Sequence, residues 1–600
     1  MSLETKKTVI DANTQKNIDQ WLNGHYDEQT KAQIRELMQN HPEELLDAFY
    51  TTLSFGTAGL RGIMGVGCNR MNQYTVMAAT QALASYLAKQ PAPPEGHSVF
   101  IGYDSRHHSK SFAEQTARVL AANGIGVYLC KELRPTPLVS FGCRFKKCSA
   151  AVMVTASHNP AEYNGYKVYW NDGGQILPPH DVGIMAEFNA ITDMAMIKAV
   201  KSLSNPLIKL VEEEVDAAYL EAIAALQPYP KENQADGNTL KVVYTNLHGT
   251  GITLMPRALA LWGFTNVAFV EQQAKPDGDF PTVRSPNPEN RETLKLGIET
   301  LEKAQGDILI ATDPDADRVA VAFRHDGEIH LLNGNQIACI CLQHICEALS
   351  SQGRLPAKAA FIKSIVTSEL FRAIVEAYRK TCVDVLTGFK YIAQKIREWE
   401  QDPNGYKYVF GGEESYGYLL GTQTRDKDAV LMGALLCEVA LHAKRQGKTL
   451  GDLLEDLYKR YGTFVEKLLS IDFEDSKIGK EQMGQAMLQL RRAPPKTLNG
   501  VVVVAIEDYQ TSIKTSPPSG RTEQITLPKS DVLAFWLADG AKLMIRPSGT
   551  EPKIKIYCGV VNKHTQSIPE ALVEGERYAD ALLGELKKML TVQNGDEKKN

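Results

Sequence analysis

The chain has 600 residues, of which 43% are hydrophobic and 23% charged, an ordinary globular mix long enough to bury several cores. Its 66 basic and 71 acidic residues leave a net charge of −5, which excludes the strongly basic domain or stripe of a nucleic-acid-binding protein. No apolar run is long enough to span a membrane, the N-terminus MSLETKKTVIDANTQ lacks the apolar core of a signal peptide, and the ten cysteines form no CxxC pair, so the chain reads as cytoplasmic with reduced thiols.

At roughly 150 residues per domain, a chain of this length predicts about four domains. Residues 1–54 are polar with helical spacing, and Trp21, Ile34, Leu37, Leu45 and Phe49 can line helix faces, so a helical extension is expected there. SFGTAGLRGIMG then sets Arg61 among Gly56, Gly59, Gly62 and Gly65, read as a mobile backbone carrying one cation. It matches neither a Walker nor a dinucleotide fingerprint. From there strand-like runs at 99–103, 151–155, 242–245, 307–312 and 406–410 alternate with helical stretches, which predicts an α/β fold. VFIGYDSR, VVYTNLHGTG and ILIATDPDADR each end a strand in a Gly- or Asp-rich loop, as three related α/β domains would. Their expected bounds are 55–205, 206–326 and 327–450. Residues 451–600 are expected to form a helical connection through the 450s to 490s and then a C-terminal α+β domain, with a polar, disordered tail NGDEKKN.

Four loops carry candidate chemistry. In AAVMVTASHNPAEYNGYKVYW a buried strand runs into a polar loop, and a second strand brings Lys167 back, so Ser157 and His158 sit at a strand end where α/β domains place ligands. A serine needs a base or positive surroundings to act as a nucleophile, and His158 and Lys167 are local sources of both. Alone, Ser-His fits an ordinary turn equally well. In DILIATDPDADR, Asp313, Asp315 and Asp317 follow a buried strand at every second position, and in an extended loop they face one side. Three anions so close repel unless a hard cation such as Mg²⁺ sits among them; Arg318, next in line, can offset charge or hold a phosphate.

In YVFGGEESYGYLLG the strand is read as breaking at Gly411-Gly412, and Glu413, Glu414 and Ser415 follow as groups suited to vicinal sugar hydroxyls; by spacing alone an acidic surface turn is as good a reading. In LMIRPSGTEPKIKIY, Arg546, the Ser-Gly-Thr turn, Lys553 and Lys555 make a phosphate cradle. Lys390, in LTGFKYI, is on pattern alone a surface lysine.

In order and content these loops resemble the α-D-phosphohexomutase family, which holds phosphoglucomutases, phosphomannomutases and related phosphopentomutases. TASHNP with NGYK resembles its phosphoserine loop, DPDADR its metal loop, GEESYG its sugar-recognition loop and RPSGTEP its phosphate-binding loop, over a span from about Phe55 to about Tyr557. The resemblance implies four domains around a central cleft, three related α/β domains plus a C-terminal α+β domain. It implies that Ser157 carries the transferred phosphoryl group and joins Asp313, Asp315 and Asp317 in holding Mg²⁺, and that Glu413 and Ser415 bind sugar hydroxyls. Arg546, Ser548, Gly549 and Thr550 would hold the non-reacting phosphate. Arg61, His158, Lys167, Arg318, Lys390 and Lys427 match functional or near-site positions, with Lys167 favoured as general acid/base and Arg61 and His158 as rivals. Pro314 stands where glycine is common and Gly549 where many members have asparagine, features that with the N-terminal extension resemble the phosphopentomutase-like branch of phosphoglucomutases.

The implied reaction interconverts glucose 1-phosphate and glucose 6-phosphate through glucose 1,6-bisphosphate. The same mechanism on pentose or mannose phosphates, a Mg²⁺-dependent phosphatase with Asp313 as nucleophile, and a non-catalytic sugar-phosphate-binding protein are the alternatives. Sugar phosphates are the expected partners, without nucleic acid or membrane, and whether the chain is a monomer or a homodimer is not encoded in any of these motifs.

Overall fold

Two aspartates open the chain's first helices. Asp11 accepts the Asn13 and Thr14 amides at the head of Ala12–Asn23, and Asp27 accepts the Thr30 amide at the head of Glu28–Asn40. With Pro42–Phe49 these helices bury Ile18, Trp21, Ile34, Leu45 and Phe49, and Trp21 stacks on Tyr26 at 4.3 Å between ring centroids. Tyr74, on the helix Gln73–Leu87, packs edge-on to Trp21 at 5.7 Å, so the helical extension is built onto the domain that follows it. The structure, a computed structural model, describes residues 10–53, 59–211, 213–474, 477–517, 519–548, 553–562 and 567–591.

The chain forms two compact units. One comprises the residues up to Leu331 with Ile392–Pro403 and Gly417–Leu441; the other comprises Leu332–Tyr391, Asn404–Tyr416 and the chain from His442 onward. In the first unit, β1 (Leu60–Ile63), β2 (Ser98–Tyr103), β3 (Gly126–Cys130), β4 (Ala150–Val154), β5 (Tyr163–Trp170) and β6 (Ile208–Val211) make a six-stranded sheet in the order β1-β5-β4-β2-β3-β6. β4 and β3 both run parallel to β2, and every residue of β4 is buried, the continuous apolar pattern of a parallel sheet covered on both faces. Because Tyr103 pairs with Val154, the loops after β2 and β4 emerge side by side. A second sheet, β7 (Val242–Thr245), β8 (Val267–Phe269), β9 (Ile308–Thr312), β10 (Val319–His325) and β11 (Glu328–Leu331), has the order β11-β10-β9-β7-β8. Here Thr245 pairs with Ala311, and the loops after β7 and β9 are neighbours by the same logic.

In the second unit, β12 (Ala359–Ser364) runs parallel to both β13 (Thr381–Val385) and β14 (Lys407–Glu413). The C-terminal part is β-rich: β16 (Thr463–Asp472) is followed by β17 (Thr497–Leu498), β18 (Val501–Asp508), β19 (Ile513–Ser516), β20 (Arg521–Gln524) and β21 (Leu533–Leu537), and pairs over its whole length with β23 (Lys553–Asn562), which pairs with β22 (Lys542–Pro547). The long helix Ile568–Thr591 covers this sheet with Ala579, Leu582, Leu583, Leu586 and Leu590. Strand β15 (Gly417–Leu420) belongs to the first unit.

Three sequence expectations need correction. The segment around Arg61 is not a mobile glycine backbone: β1 pairs antiparallel with β5, placing Arg61 opposite Gly165. The strand before Glu413 does not break at Gly411-Gly412 but continues through Glu413, because a Cβ on Gly411 would lie 2.4 Å from the Ile362 carbonyl of the paired strand. Glycine here permits close strand approach rather than a turn. The first two sheets run to Val211 and Leu331, where β6 and β11 pair within them. The stretch expected to be a helical connection contains β16, whose ladder with β23 outweighs the helical pattern on either side.

Candidate functional site

Ser157 lies directly after β4 in a left-handed conformation, φ 52°, which lifts it out of the strand direction. Its amide is held by the Thr155 hydroxyl at 2.8 Å. The rest of the loop is fixed by Arg106, which follows β2. Its guanidinium donates to the carbonyls of Ser157 at 2.7 Å, Asn159 at 2.5 Å, Pro160 at 2.7 Å and Tyr163 at 3.0 Å. Arg106 is in turn paired with Asp104, Nε to Oδ2 at 3.3 Å, with both side chains buried. Arg61 reaches the same loop from β1 and donates to Asn159 Oδ1 at 2.8 Å.

The Ser157 hydroxyl donates to Asp313 Oδ2 at 2.7 Å and lies 3.2 Å from His158 Nδ1. Burial, then the positive charges of Arg318 and Arg61, push the His158 imidazole well below its ordinary range, which favours the neutral ring.

Asp313, Asp315 and Asp317 each offer one oxygen within 4.8 Å of the others, and all three are buried. Their convergence comes from a turn rather than an extended loop, since Ala316 adopts φ 50° and the Ala316 amide closes on the Asp313 carbonyl. Each carboxylate has one oxygen saturated by the protein. Asp313 Oδ1 accepts the amides of Asp317 and Arg318. Asp315 Oδ2 accepts Lys167 Nζ at 2.8 Å and the Thr136 hydroxyl at 2.8 Å. Asp317 Oδ2 faces Lys167 and Lys427, both at 3.2 Å. Of the remaining oxygens, Oδ2 of Asp313 accepts the Ser157 hydroxyl, while Oδ1 of Asp315 and of Asp317 are buried without a hydrogen-bond partner among the described residues.

An orphaned buried carboxylate oxygen is costly, and two beside a third carboxylate fit a hard divalent cation, which takes oxygen ligands. Burial, then the like charges of Asp315 and Asp317, push Asp313 well up, whereas Asp317 is drawn down because Lys427, Lys167 and Arg318 outweigh its burial. Burial opposes the Lys167 ammonium, but Asp315 and Asp317 outweigh it and hold its pKa above the ordinary range. Arg318 pairs with Glu289 and lies 3.9 Å from Asp317 Oδ1.

In the second unit, Glu413 ends β14 and accepts the Gly388 amide at 2.7 Å, next to the buried Lys390. Glu414 turns away to the hydroxyls of Ser364 and Thr367, leaving Ser415 half-buried. Arg546, next to last in β22, is half-buried and pairs with Lys555, and the Ser548 amide closes on the Lys553 carbonyl at 2.7 Å. Gly549 and Thr550 lie outside the described residues.

Family profiles described as phosphoglucomutase/phosphomannomutase, alpha/beta/alpha domains I, II and III, match residues 52–195, 217–327 and 333–461. The chain belongs to the phosphoglucomutase/phosphomannomutase family. Among curated relatives it is 38% identical to a phosphoglucomutase of Staphylococcus epidermidis over 88% of this chain and 94% of that protein. It is 39% identical to one of Staphylococcus aureus over 86% and 90%. Among solved structures, a phosphoglucomutase/phosphomannomutase family protein of Burkholderia thailandensis shares the fold at TM-score 0.64 and 18% identity, covering 90% of this chain and 97% of that one. Parafusin, a phosphoglucomutase of Paramecium, does so at TM-score 0.65 and 16%, covering 91% and 97%. Three α/β domains followed by a β-rich C-terminal domain are the family's four-domain architecture.

The loops holding Ser157 and the three aspartates are thus brought together here, with Arg61, His158, Lys167, Arg318 and Lys427 around them. Sequence reasoning missed Asp104, Arg106 and Thr136. Arg106 had a signal, since DSR ends a strand just as DPDADR does, but its targets lie some 50 residues on and only the β2–β4 pairing reveals them.

Proposed function

We propose that the chain interconverts glucose 1-phosphate and glucose 6-phosphate through a phosphorylated Ser157 and a glucose 1,6-bisphosphate intermediate. The observation that carries this reading is the Ser157 hydroxyl seated 2.7 Å from Asp313 within a buried carboxylate triad, in a chain 38% identical to a phosphoglucomutase. The phosphoryl group leaves the Ser157 oxygen as its bond to the sugar hydroxyl oxygen forms, and the hydroxyl proton passes to a neighbouring base. The bisphosphate, bound in the opposite orientation, returns its other phosphoryl group to Ser157, and the sugar oxygen released takes the proton back from that base. Asp313, Asp315, Asp317 and the Ser157 oxygen are the ligands we assign to Mg²⁺, whose charge would stabilise the transferring group.

We assign the proton transfer to His158, whose Nδ1 lies 3.2 Å from the Ser157 oxygen, rather than to Lys167, whose ammonium is engaged by two carboxylates. Lys167 and Lys427 balance the charge of the metal loop. Glu413 and Ser415 are assigned to the sugar hydroxyls, and Arg546, Ser548, Gly549 and Thr550 to the non-reacting phosphate, with Lys390 and Arg318 as further substrate contacts. The phosphatase alternative is disfavoured because the chain is 38% identical to a phosphoglucomutase and a phosphatase would leave Ser157, seated 2.7 Å from Asp313, without a role. Ten unpaired cysteines support placing the enzyme in a reducing compartment such as the cytoplasm; among the described residues no helix is long and apolar enough to cross a membrane.

The test is a coupled assay of glucose 1-phosphate conversion beside mannose 1-phosphate and ribose 1-phosphate. Glucose 1-phosphate should give the highest kcat/KM, and Ser157→Ala should abolish turnover while leaving the fold intact. Near-normal turnover by Ser157→Ala would remove the phosphoserine role.

A further inference from the structure

Three successive carbonyls of the metal loop are gripped by three distant segments of the first unit. The Thr250 amide and hydroxyl both donate to the Pro314 carbonyl, at 2.7 and 2.8 Å. The Thr136 amide donates to the Asp315 carbonyl at 2.8 Å, and the Ala429 amide to the Ala316 carbonyl at 3.1 Å. Thr136 alone of the three also reaches a carboxylate: its hydroxyl donates to Asp315 Oδ2 at 2.8 Å, and its side chain is fully buried.

That second bond splits the Asp315 carboxylate into two unlike oxygens. Oδ2 is shared by Thr136 and Lys167, while Oδ1 is buried with no hydrogen-bond partner among the described residues. Lys167 cannot fix this orientation alone, because the same ammonium also bonds Asp317 Oδ2 at 3.2 Å. A hydroxyl anchored by its own backbone bond to the Asp315 carbonyl holds both ends of the residue. Groups that orient a ligand in this way tune metal affinity without touching the metal.

We propose that Thr136 is a positioning residue for the cation site: it fixes Asp315 Oδ2 so that Oδ1 is presented to the divalent cation. The inference rests on the reading of Asp313, Asp315 and Asp317 as cation ligands. Removing the hydroxyl while keeping the volume should weaken cation binding by roughly 10- to 100-fold, the usual effect of losing such a partner. Thr250→Val should have little effect, since the Thr250 amide stays on the Pro314 carbonyl and no carboxylate is released.

The test is direct titration of the purified full chain with Mn²⁺, reading free Mn²⁺ by its paramagnetic resonance signal, with no turnover involved. Wild type, Thr136→Val, Thr136→Ser, Thr250→Val and Asp315→Asn would be compared, each with its metal-free thermal unfolding. The expected result is a roughly 10- to 100-fold weaker Kd for Thr136→Val at an unchanged metal-free melting temperature, restoration by Thr136→Ser, and loss of binding in Asp315→Asn. Wild-type affinity in Thr136→Val, with binding lost in Asp315→Asn, overturns the role of Thr136 and leaves the cation site standing. Equal weakening by Thr136→Ser and Thr136→Val also overturns it, since packing and not the hydroxyl would then be at work. Undiminished binding by Asp315→Asn would instead overturn the cation-site reading on which the inference rests.

Discussion

Replacing Arg106 by methionine should release the phosphoserine loop. The substitution keeps a buried apolar stem and removes a guanidinium that donates to four loop carbonyls between Ser157 and Tyr163 and pairs with Asp104. Asp104 is 2% exposed, so it would be left as a buried carboxylate without its cation, and breaking such a pair costs about 3–5 kcal/mol. Even the lower figure, at about 1.4 kcal/mol per tenfold, shifts the local opening equilibrium by more than about 100-fold. Hydrogen exchange of a peptide spanning residues 155–163 reads that opening directly. We expect exchange there to accelerate by at least about 100-fold and phosphoryl uptake on Ser157 to fall with it, with partial recovery in Asp104→Asn/Arg106→Met, which buries no unpaired charge. Exchange within about threefold of wild type, with normal Ser157 phosphorylation, would refute the assignment of Arg106 as the clamp of this loop.

Two further outcomes follow from the packing. Burial pushes the Asp428 carboxyl from 3.8 up to about 6, against the amides of Leu431 and Val430 and the Tyr219 hydroxyl, so its contribution to stability is full below about pH 4 and lost as pH rises through about 6. The span amounts to roughly 3 kcal/mol, and Asp428→Asn should flatten the pH dependence of thermal unfolding between pH 4 and 6; an unchanged slope would contradict it. Gly411→Ala forces a Cβ to within 2.4 Å of the Ile362 carbonyl and should cost about 1–3 kcal/mol, seen as a lower melting temperature and a raised KM for glucose 1-phosphate through the displaced Glu413. A variant as stable as wild type would mean that the β12–β14 contact is looser than it stands.

Much of this site is written in short segments that a linear reading can catch. TASHNP and DPDADR place reactive groups just after an apolar strand, GEES and RPSGT bring Glu413 and Arg546 to the ends of theirs, and the strands at Ala150–Val154 and Ile308–Thr312 form within a residue of where their apolar runs fall. What linear reading cannot supply is contact across the chain. Thr136 lies 179 residues from Asp315, and Arg106 only meets its four carbonyls because β2 and β4 pair in parallel. The same blindness explains the misread glycines: Gly411 looked like a breaker because glycine usually is one, whereas its neighbour Ile362 comes from a different strand. Pro314 stood out as a departure from the usual glycine. In space it is matched by Gly249, where an added Cβ would lie 2.2 Å from the Pro314 Cα, so the glycine is on the facing loop instead. Lys167 shows the limit of proximity in sequence, since a lysine tethered beside Ser157 turns out to spend its charge on Asp315 and Asp317.

The most direct test of the central claim is the covalent state of Ser157. The purified chain would be incubated with glucose 1,6-bisphosphate and Mg²⁺, its intact mass measured, the phosphorylated peptide mapped, and the labelled protein challenged with glucose, mannose and ribose monophosphates. A single phosphate on Ser157, discharged fastest by a glucose monophosphate with formation of glucose bisphosphate, is the predicted result. An unmodified Ser157, or inorganic phosphate accumulating in place of bisphosphate, would contradict it.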